Sequence, residues 1–218
     1  MARISLLLSD LSHPVKAHLE RWIRSRQTQH QVELCQRSTE LSGGDFLFLI
    51  SCQEIIRLPV RERYRYTLVL HASDLPKGRG MSPHVWQVLE GQHALVLSLL
   101  NAEDAVDSGH IWKKLPIPIK PTDLWNDIDA KLFDAELQLM DWAVEHCDDG
   151  PPTPQSGEVT YYPRRKPEDS QIDPSRSLAD TFNAIRIANP NRYPAWFELH
   201  GQRYKITLEK IHDEDPQP

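Results

Sequence analysis

The sequence predicts an α/β fold built on a mostly parallel sheet. Short apolar runs of strand length, such as residues 46–51 and 67–70, alternate with amphipathic stretches; this order is typical of parallel strands buried on both faces. The composition changes at residues 148–157, which are rich in proline and glycine. We therefore expect a doubly wound, Rossmann-like sheet with flanking helices over residues 1–150. A small α+β subdomain is expected over residues 151–218.

The first elements are predicted from apolar spacing. Residues 3–8 and 31–35 are short apolar strands, and the opening residues lack the apolar core and cleavage site of a signal peptide. Ser12 is placed to cap a helix over residues 14–26, whose apolar residues recur at helical spacing. The two apolar runs named above supply the next two strands.

The middle of the chain predicts two helices and two strands. Ser82 is expected to cap a helix over residues 82–92, with Pro83 in its first turn. Thr122 is expected to cap a long amphipathic helix that ends near residue 147. The strands lie between these helices, over residues 94–100 and 110–117.

The carboxyl-terminal part is shorter and more polar. Residues 161–173 carry tyrosines and basic side chains, and residues 177–188 form a short helical pattern. Residues 196–210 read as a hairpin with His200 and Gly201 at its turn.

Composition limits the function. The net charge is -6, which argues against a broad nucleic-acid surface, and no apolar run approaches a membrane span. Three scattered cysteines (Cys35, Cys52, Cys147) show no metal-ligand spacing. We therefore expect a cytoplasmic protein with no metal and no membrane or nucleic-acid partner. Its oligomeric state is open, a homo-oligomer included.

His71 is the first candidate for chemistry. It follows an apolar strand, and ligands of open α/β sheets gather beyond the carboxyl ends of strands. Asp107 lies beside Gly109 in a turn and is the carboxylate that could hold one imidazole nitrogen. The alternative is a structural histidine and a turn-forming aspartate. The two residues are 36 positions apart in sequence, so spacing alone does not decide.

The loop over residues 74–83 combines turn residues with cations. Pro76 restricts the backbone, while Gly78 and Gly80 permit close approach. Lys77 and Arg79 suit a phosphate group, and the alternative is an ordinary surface loop.

The stretch HASDLPKGRGMSP (71–83), followed by Asp107-Ser108-Gly109, resembles the folate-dependent formyltransferase family. Within that family it is most similar to bacterial sugar N-formyltransferases of the pseudaminic-acid type. The resemblance extends over most of the chain and includes FNAIRIANPNRYPAWFELHGQRYKI (182–206). It implies 10-formyltetrahydrofolate as the co-substrate and an amine as the acceptor.

The resemblance also implies roles for residues near His71. His71 and Asp107 match two catalytic residues of the family, and Ser73 matches its His-x-Ser. The family's asparagine falls on Val69, so this chain lacks it, and His71 would bear more of the oxyanion stabilisation. The amine would attack the formyl carbon directly, with Asp107 or a water it holds relaying the proton.

The two substrates are assigned to separate segments by the same resemblance. Folate-binding residues would be Ser51, Cys52, Gln53, Ile55, Ile56, Ala105 and Val106. Acceptor-binding residues would be Lys77, Arg79, Ser82 and Arg164, whereas Arg165 is interpreted as a solvated surface charge. The acceptor would be a nucleotide-linked amino sugar used in glycan biosynthesis.

Three alternatives stay open. The first is a methionyl-tRNA-type formyltransferase, which the acidic charge and the short carboxyl-terminal part disfavour. The second is a non-catalytic folate or nucleotide-sugar binder, suggested by Val69. The third is a hydride-transfer enzyme, disfavoured because residues 9–14 (SDLSHP) lack the glycine fingerprint of dinucleotide-binding folds.

Overall fold

The computed structural model describes residues 1–211. Its strands are β1 (Arg3–Leu7), β2 (Gln31–Cys35), β3 (Gly44–Leu49), β4 (Tyr64–His71), β5 (Arg79–Gly80), β6 (Ala94–Asn101), β7 (Ile111–Pro118), β8 (Tyr161–Tyr162), β9 (Ala195–Leu199) and β10 (Gln202–Ile206). Its α-helices are α1 (Lys16–Arg26), α2 (Leu58–Arg61), α3 (Pro83–Leu89), α4 (Trp125–His146) and α5 (Leu178–Arg186). Within these residues, no helix combines the length and the apolar character that a membrane span requires.

The central sheet has six strands in the order β2-β1-β3-β4-β6-β7. The first four are parallel, whereas β6 runs antiparallel to β4, with His71 opposite Ser98. The last strand, β7, is antiparallel to β6 and therefore points with the first four. The predicted mostly parallel sheet with flanking helices is thus confirmed, and the reversed β6 is the feature that the apolar runs did not predict.

Alternate residues of β1, β3 and β4 enter two separate cores. Leu68 and Leu70 of β4 belong to the larger core, which the helices α1, α3 and α4 cover. Val69 packs against the smaller core on the opposite face, beside Leu49 and Ile56. The layers are unequal, because the four-residue α2 is the helix that contributes to the smaller core. Loop residues, among them Leu41, Cys52 and Ile56, complete the smaller core.

Three predicted helix caps are wrong. The first helix begins at Lys16 instead of residue 14, and Ser12 instead bonds to the Asp10 carboxylate. Ser82 has a left-handed backbone with φ of 50° and makes no capping bond, although Pro83 does open α3. The long helix begins at Trp125, beyond Thr122, where the Asp127 carboxylate accepts from the Leu124 amide.

The carboxyl-terminal part forms a small core of its own. Ile172, Ile185 and Ala195 are buried together between α5 and the β9–β10 hairpin. The predicted hairpin is present, with its turn at His200 and Gly201, both at positive φ. The capping of α5 by Ser177, which accepts a bond from the Asp180 amide, fits the helical pattern predicted there.

Contacts cross the predicted boundary at residue 150. The short strand β8 pairs in parallel with β5 of the loop after His71, and Thr153 bonds to Ile111 of β7. The Arg186 side chain is 2% exposed and donates to the Asp123 carbonyl. The division into two domains stays a prediction, and these contacts show where the carboxyl-terminal part supports the sheet.

Candidate active site

His71 lies at the carboxyl end of β4, where its side chain meets Asp107. The Nδ1 atom is 3.4 Å from Asp107 Oδ2, and the two side chains are 7% and 8% exposed. The Nε2 atom is 2.8 Å from the Gly78 carbonyl oxygen. Nε2 therefore lies within hydrogen-bond distance of a carbonyl oxygen, while Nδ1 faces the Asp107 carboxylate at the longer distance of an ion-pair contact.

The loop that carries Asp107 is fixed by backbone contacts. Asp107 has a φ of 52°, and its Oδ2 atom also accepts from the Gly80 amide at 2.8 Å. A Cβ atom at Gly109 would overlap the Asn101 carbonyl oxygen, so this turn requires glycine. The carboxylate is thus held between the end of β4 and the loop that follows it.

Gln155 joins the same loops from the carboxyl-terminal side. Its amide nitrogen donates to the carbonyl oxygens of Asp107 and Gly109, each at 2.8 Å. Its amide oxygen accepts from Arg79 Nη2 at 2.7 Å. Sequence reasoning missed this residue, because it lies in the Pro- and Gly-rich stretch that predicted only a boundary.

Ser73 is buried beneath the same loop. It is 2% exposed, its amide donates to the His71 carbonyl, and its own carbonyl accepts from Ser98 Oγ at 2.7 Å. Its hydroxyl has no hydrogen-bond partner among residues 1–211. The backbone of Ser73 is therefore fixed by these bonds, while its hydroxyl is buried without a partner among the described residues.

The residues predicted to bind folate lie on two loops that the structure brings together. Ser51, Cys52, Gln53, Ile55 and Ile56 follow β3, while Ala105 and Val106 precede Asp107. Arg61 bridges the loops, since Nη1 donates to the Ile56 carbonyl and to Asp104 Oδ1 at 2.7 and 2.8 Å.

This pair of loops has an apolar rim. The side chains of Ile55 and Val106 are 53% and 51% exposed, while Ile56 is buried. Val69 and Cys52 lie half-buried behind them, against the smaller core. Exposed apolar side chains above a partly open core suit a flat aromatic ligand.

The residues predicted to bind the acceptor are more scattered. Lys77 and Arg164 are exposed, and Ser82 is half-buried beside α3. Arg79 is occupied by Gln155, although its Nε atom is buried without a partner among the described residues.

The interpretation of Arg165 as a solvated charge is wrong. It is 9% exposed, donates to Ser170 Oγ at 2.6 Å, and lies over the Tyr193 ring at 5.2 Å. Burial lowers the pKa of its guanidinium. The face of the Tyr193 ring and the Ser170 hydroxyl together accommodate the charge of Arg165. Both partners are distant enough that the residues flanking Arg165 in sequence do not predict its burial.

A second group of ionisable residues lies near the same edge of the sheet. We define the Asp129 cluster as His13, His84, Asp129 and Glu136. His84 Nε2 is 3.9 Å from Asp129 Oδ1, and His13 Nε2 is 3.4 Å from the hydroxyl of Ser51.

Sequence reasoning missed the Asp129 cluster. Its residues are spread over more than a hundred positions. One feature of the sequence could have indicated it. Asp129 and Glu136 are seven residues apart on α4, so they share one face of that helix. That face also carries buried apolar residues.

Within residues 1–211, no group of three or more His, Cys, Asp or Glu side chains has the geometry to hold a metal ion. A separate open cavity of about 460 Å³ lies at the hairpin, lined by Pro167, Glu168, Gln171, Trp196, Arg203, Tyr204 and Lys205. It contains none of the residues predicted to act in catalysis.

Comparison with known proteins identifies the family of the part of the chain before residue 150. A model of the family described as formyl transferase matches residues 6–144, which include the sheet, His71 and Asp107. The methionyl-tRNA formyltransferase of Thermodesulfovibrio yellowstonii is 28% identical over 171 residues, or 77% of this chain and 55% of that protein. The chain spans about half the length of the curated relatives it matches.

Three solved structures show the same fold. Methionyl-tRNA formyltransferase from Clostridium thermocellum aligns with a TM-score of 0.82 at 19% identity, covering 99% of this chain and 96% of that chain. HypX from Aquifex aeolicus, in complex with tetrahydrofolic acid, gives 0.78 at 19% identity, with 95% and 37% covered. A 4-N formyltransferase from Francisella tularensis gives 0.76 at 15% identity, with 96% and 99% covered.

Proposed function

Because this chain belongs to the formyl transferase family, we propose that it is an N-formyltransferase that moves the formyl group of 10-formyltetrahydrofolate to the amine of a nucleotide-linked amino sugar. The observation that carries the proposal is the contact between His71 and Asp107 at the carboxyl end of β4. It unites a proton-bearing ring and a carboxylate in a buried site, as acyl transfer to an amine requires.

The folate would lie between the two bridged loops. Its flat pterin would contact the exposed side chains of Ile55 and Val106, and backbone groups of residues 50–56 would supply its hydrogen bonds. The tetrahydrofolic acid bound to HypX supports this co-substrate, since that protein shares the fold. Folate binding at these loops is part of the proposal.

The reaction would be a direct transfer. The amine nitrogen attacks the formyl carbon, the new nitrogen–carbon bond forms, and the bond from the formyl carbon to N10 of the folate breaks. The amine loses a proton and N10 gains one. The protonated ring of His71, held by Asp107, would stabilise the oxyanion that develops on the formyl oxygen.

The Gly78 carbonyl sets a condition on that mechanism. The Gly78 carbonyl oxygen lies 2.8 Å from Nε2 of His71. An oxyanion that binds to Nε2 must therefore displace this oxygen. The loop therefore has to shift when substrates bind. Gly78 and Gly80, with φ of 74° and 104°, give its backbone conformations that other residues rarely adopt.

The sugar acceptor is supported by charge and by likeness. The net charge of -6 disfavours a polyanion such as tRNA. A sugar N-formyltransferase from Shewanella sp FDAARGOS_354 shares the fold over its whole length, with a TM-score of 0.72 at 11% identity. Methionyl-tRNA is the second candidate, because the curated relatives are methionyl-tRNA formyltransferases.

One experiment separates the two acceptors. The protein is incubated with 10-formyltetrahydrofolate and either a panel of nucleotide-linked amino sugars or methionyl-tRNA, and the products are read by mass. We expect an increase of one formyl group on a sugar. Formylation of methionyl-tRNA alone would replace the sugar proposal, and no product with any amine would overturn the activity.

A further inference from the structure

The Gly78 carbonyl determines where a hydrogen lies on the His71 ring. Its oxygen is 2.8 Å from Nε2, and a carbonyl oxygen can only accept a hydrogen bond. Nε2 therefore carries a hydrogen in this contact, whether the ring is neutral or charged. The other nitrogen, Nδ1, lies 3.4 Å from Asp107 Oδ2, beyond the usual range of an N–H···O bond. Of the two contacts that orient the ring, the one to Gly78 is the shorter.

Gly78 is buried between two side chains. Its backbone has a φ of 74°. A Cβ atom added there would lie 2.8 Å from Tyr162 Cε2 and 3.0 Å from Ser73 Cβ, which is closer than real Cβ atoms approach their neighbours. The Tyr162 ring and Ser73 therefore limit how far the backbone of Gly78, and with it the carbonyl on His71, can move.

Tyr162 is itself anchored on α3. Its hydroxyl donates to Glu90 Oε2 at 2.7 Å, and its ring stacks on that of Trp86, with centroids 6.3 Å apart and planes inclined by 10°. Trp86 Nε1 donates to the Pro163 carbonyl at 3.0 Å. Trp86 belongs to α3, and Glu90 follows its last residue. The ring that faces Gly78 is thus fixed by the helix as well as by its own strand.

Backbone bonds hold the same loop independently of that ring. The Arg79 amide donates to the Thr160 carbonyl at 2.9 Å, and the Met81 amide donates to the Tyr162 carbonyl at 3.2 Å. The Gly78 amide donates to the Thr160 hydroxyl at 2.8 Å. None of these bonds uses the Tyr162 side chain, so a change of that side chain leaves the β5–β8 pairing in place. The contribution of the ring can therefore be measured separately.

We propose that Tyr162 is a positioning residue for formyl transfer. Its ring, anchored on Glu90, keeps the Gly78 carbonyl on His71 Nε2, so that a hydrogen-bond donor is already formed and directed where the oxyanion will bind. The Gly78 oxygen holds the place that the formyl oxygen takes during the reaction. A donor that is oriented beforehand needs no reorganisation when charge develops. The inference rests on the proposed function and deepens it, since Tyr162 acts through Gly78 and His71.

The first test observes the Nε2 hydrogen in the protein without substrates. Isotope-labelled protein is studied by NMR, and the His71 signal is identified by its absence from the spectrum of His71→Ala. In wild type this hydrogen should exchange slowly with water, because the ring is buried and Nε2 is bonded to the Gly78 carbonyl. Tyr162→Ala should speed the exchange by about tenfold, the equivalent of one ordinary hydrogen bond.

Two milder variants separate the ring from its hydroxyl. Tyr162→Phe keeps the ring and loses the bond to Glu90, so exchange should rise by only about two- to threefold, the lower end for one hydrogen bond. Glu90→Ala, at an exposed residue, removes the acceptor of the same bond and should give the same rise. The double variant should show no larger effect than either single variant, because both remove one interaction.

Turnover gives the second readout. With the donor less well directed, kcat of Tyr162→Ala should fall by about tenfold, and Tyr162→Phe should recover most of it. The dissociation constant for tetrahydrofolate should stay unchanged. Tyr204→Ala, at an exposed tyrosine of the hairpin, is the matched control and should change neither exchange nor kcat. Circular dichroism checks folding, and the exchange rates of Tyr162→Phe and Glu90→Ala decide the question if Tyr162→Ala does not fold.

The outcomes separate this inference from the proposed function. If wild type formylates an amine and the Tyr162 variants leave both the exchange of the Nε2 hydrogen and kcat unchanged, the inference is overturned while the function stands. A fall in kcat with unchanged exchange would also overturn it, because Tyr162 would then not act through the Gly78 carbonyl. If wild type formylates no amine at all, the proposed function fails, and the role in transfer assigned to Tyr162 fails with it.

Discussion

The two ionisable groups near the carboxyl edge of the sheet differ in how their polar atoms are satisfied. His71 and Asp107 are held by the Gly78 carbonyl and the Gly80 amide. In the Asp129 cluster, Glu136 Oε2 is buried without a partner within residues 1–211, and the Asp129 carboxylate lies 3.9 Å from His84. The first pair is held in place by the protein's own hydrogen bonds, whereas the second leaves a buried acceptor without a donor.

The largest expected effect follows from removing the His71 ring. His71→Ala should lower kcat by on the order of 100-fold or more, the cost of losing an oxyanion donor. Steady-state kinetics measures the change, and circular dichroism confirms the fold. His110→Ala, at an exposed histidine, is the control. If folded His71→Ala kept nearly the turnover of the parent, the His71–Asp107 pair would have a structural role and no catalytic one.

The next effect tests the charge of Asp107. Asp107→Asn keeps an oxygen that can accept from the Gly80 amide at the present 2.8 Å, so the turn should persist while the partner of a protonated His71 loses its charge. We expect kcat to fall by about 10- to 100-fold, the range of a hydrogen bond to a charged group. Substrate dissociation constants should change little. If Asp107→Asn kept its turnover, Asp107 would serve only to form the turn.

A smaller effect is expected at Gln155. Gln155→Ala removes both bonds to the Asp107 loop and frees Arg79. Kcat should fall by about tenfold, since ordinary hydrogen bonds contribute about 1 kcal/mol each. Gln138→Ala on the exposed face of α4 serves as the control. An unchanged kcat would show that the turn holds Asp107 without this bridge.

The fourth prediction concerns stability and the two acids whose pKa is raised, Asp129 and Glu136. The pKa values of Asp129 and Glu136 are raised to about 7 and about 8, so the folded state holds protons that the unfolded state releases. Below about pH 6.5 the lowered pKa values of His13 and His84 act in the opposite direction. The free energy of unfolding should therefore fall between about pH 6.5 and 8, by about 1.4 kcal/mol per pH unit for each proton.

Glu136→Gln isolates one of these protons. The variant should flatten the fall between about pH 7 and 8, as measured by urea denaturation at several pH values. Asp134→Asn, at an exposed carboxylate, is the control. An unchanged slope in Glu136→Gln would mean that Glu136 ionises as freely in the folded chain as in the unfolded chain.

Local patterns predicted most of the fold. Apolar runs identified the sheet strands, and the hairpin turn at His200 and Gly201 was read correctly. The direction of β6 could not be read, because a strand buried on both faces has the same pattern in either direction. The Ser82 cap failed for another reason. Pairing of β5 with β8 fixes the approach to α3 and leaves Ser82 in a left-handed conformation.

The candidate site was predicted unevenly. The segments carrying His71 and Asp107 stood out by their motifs, and the structure brings the two side chains together; their roles stay predictions. His84 and Asp129 are 45 positions apart and carry no motif that links them. Arg164 and Arg165 show the same limit, since adjacent residues of one type end with opposite exposure.

The pairing of β5 with β8 has a consequence for synthesis of the chain. The Gly78 amide donates to the hydroxyl of Thr160, which lies 82 positions later, at 2.8 Å, and Tyr162 follows beside Gly80. A nascent chain that has not yet reached residue 160 already contains β4 and His71, but the loop after His71 has no closing strand. The loop between His71 and α3 can therefore take its final conformation only after the central sheet has been synthesised.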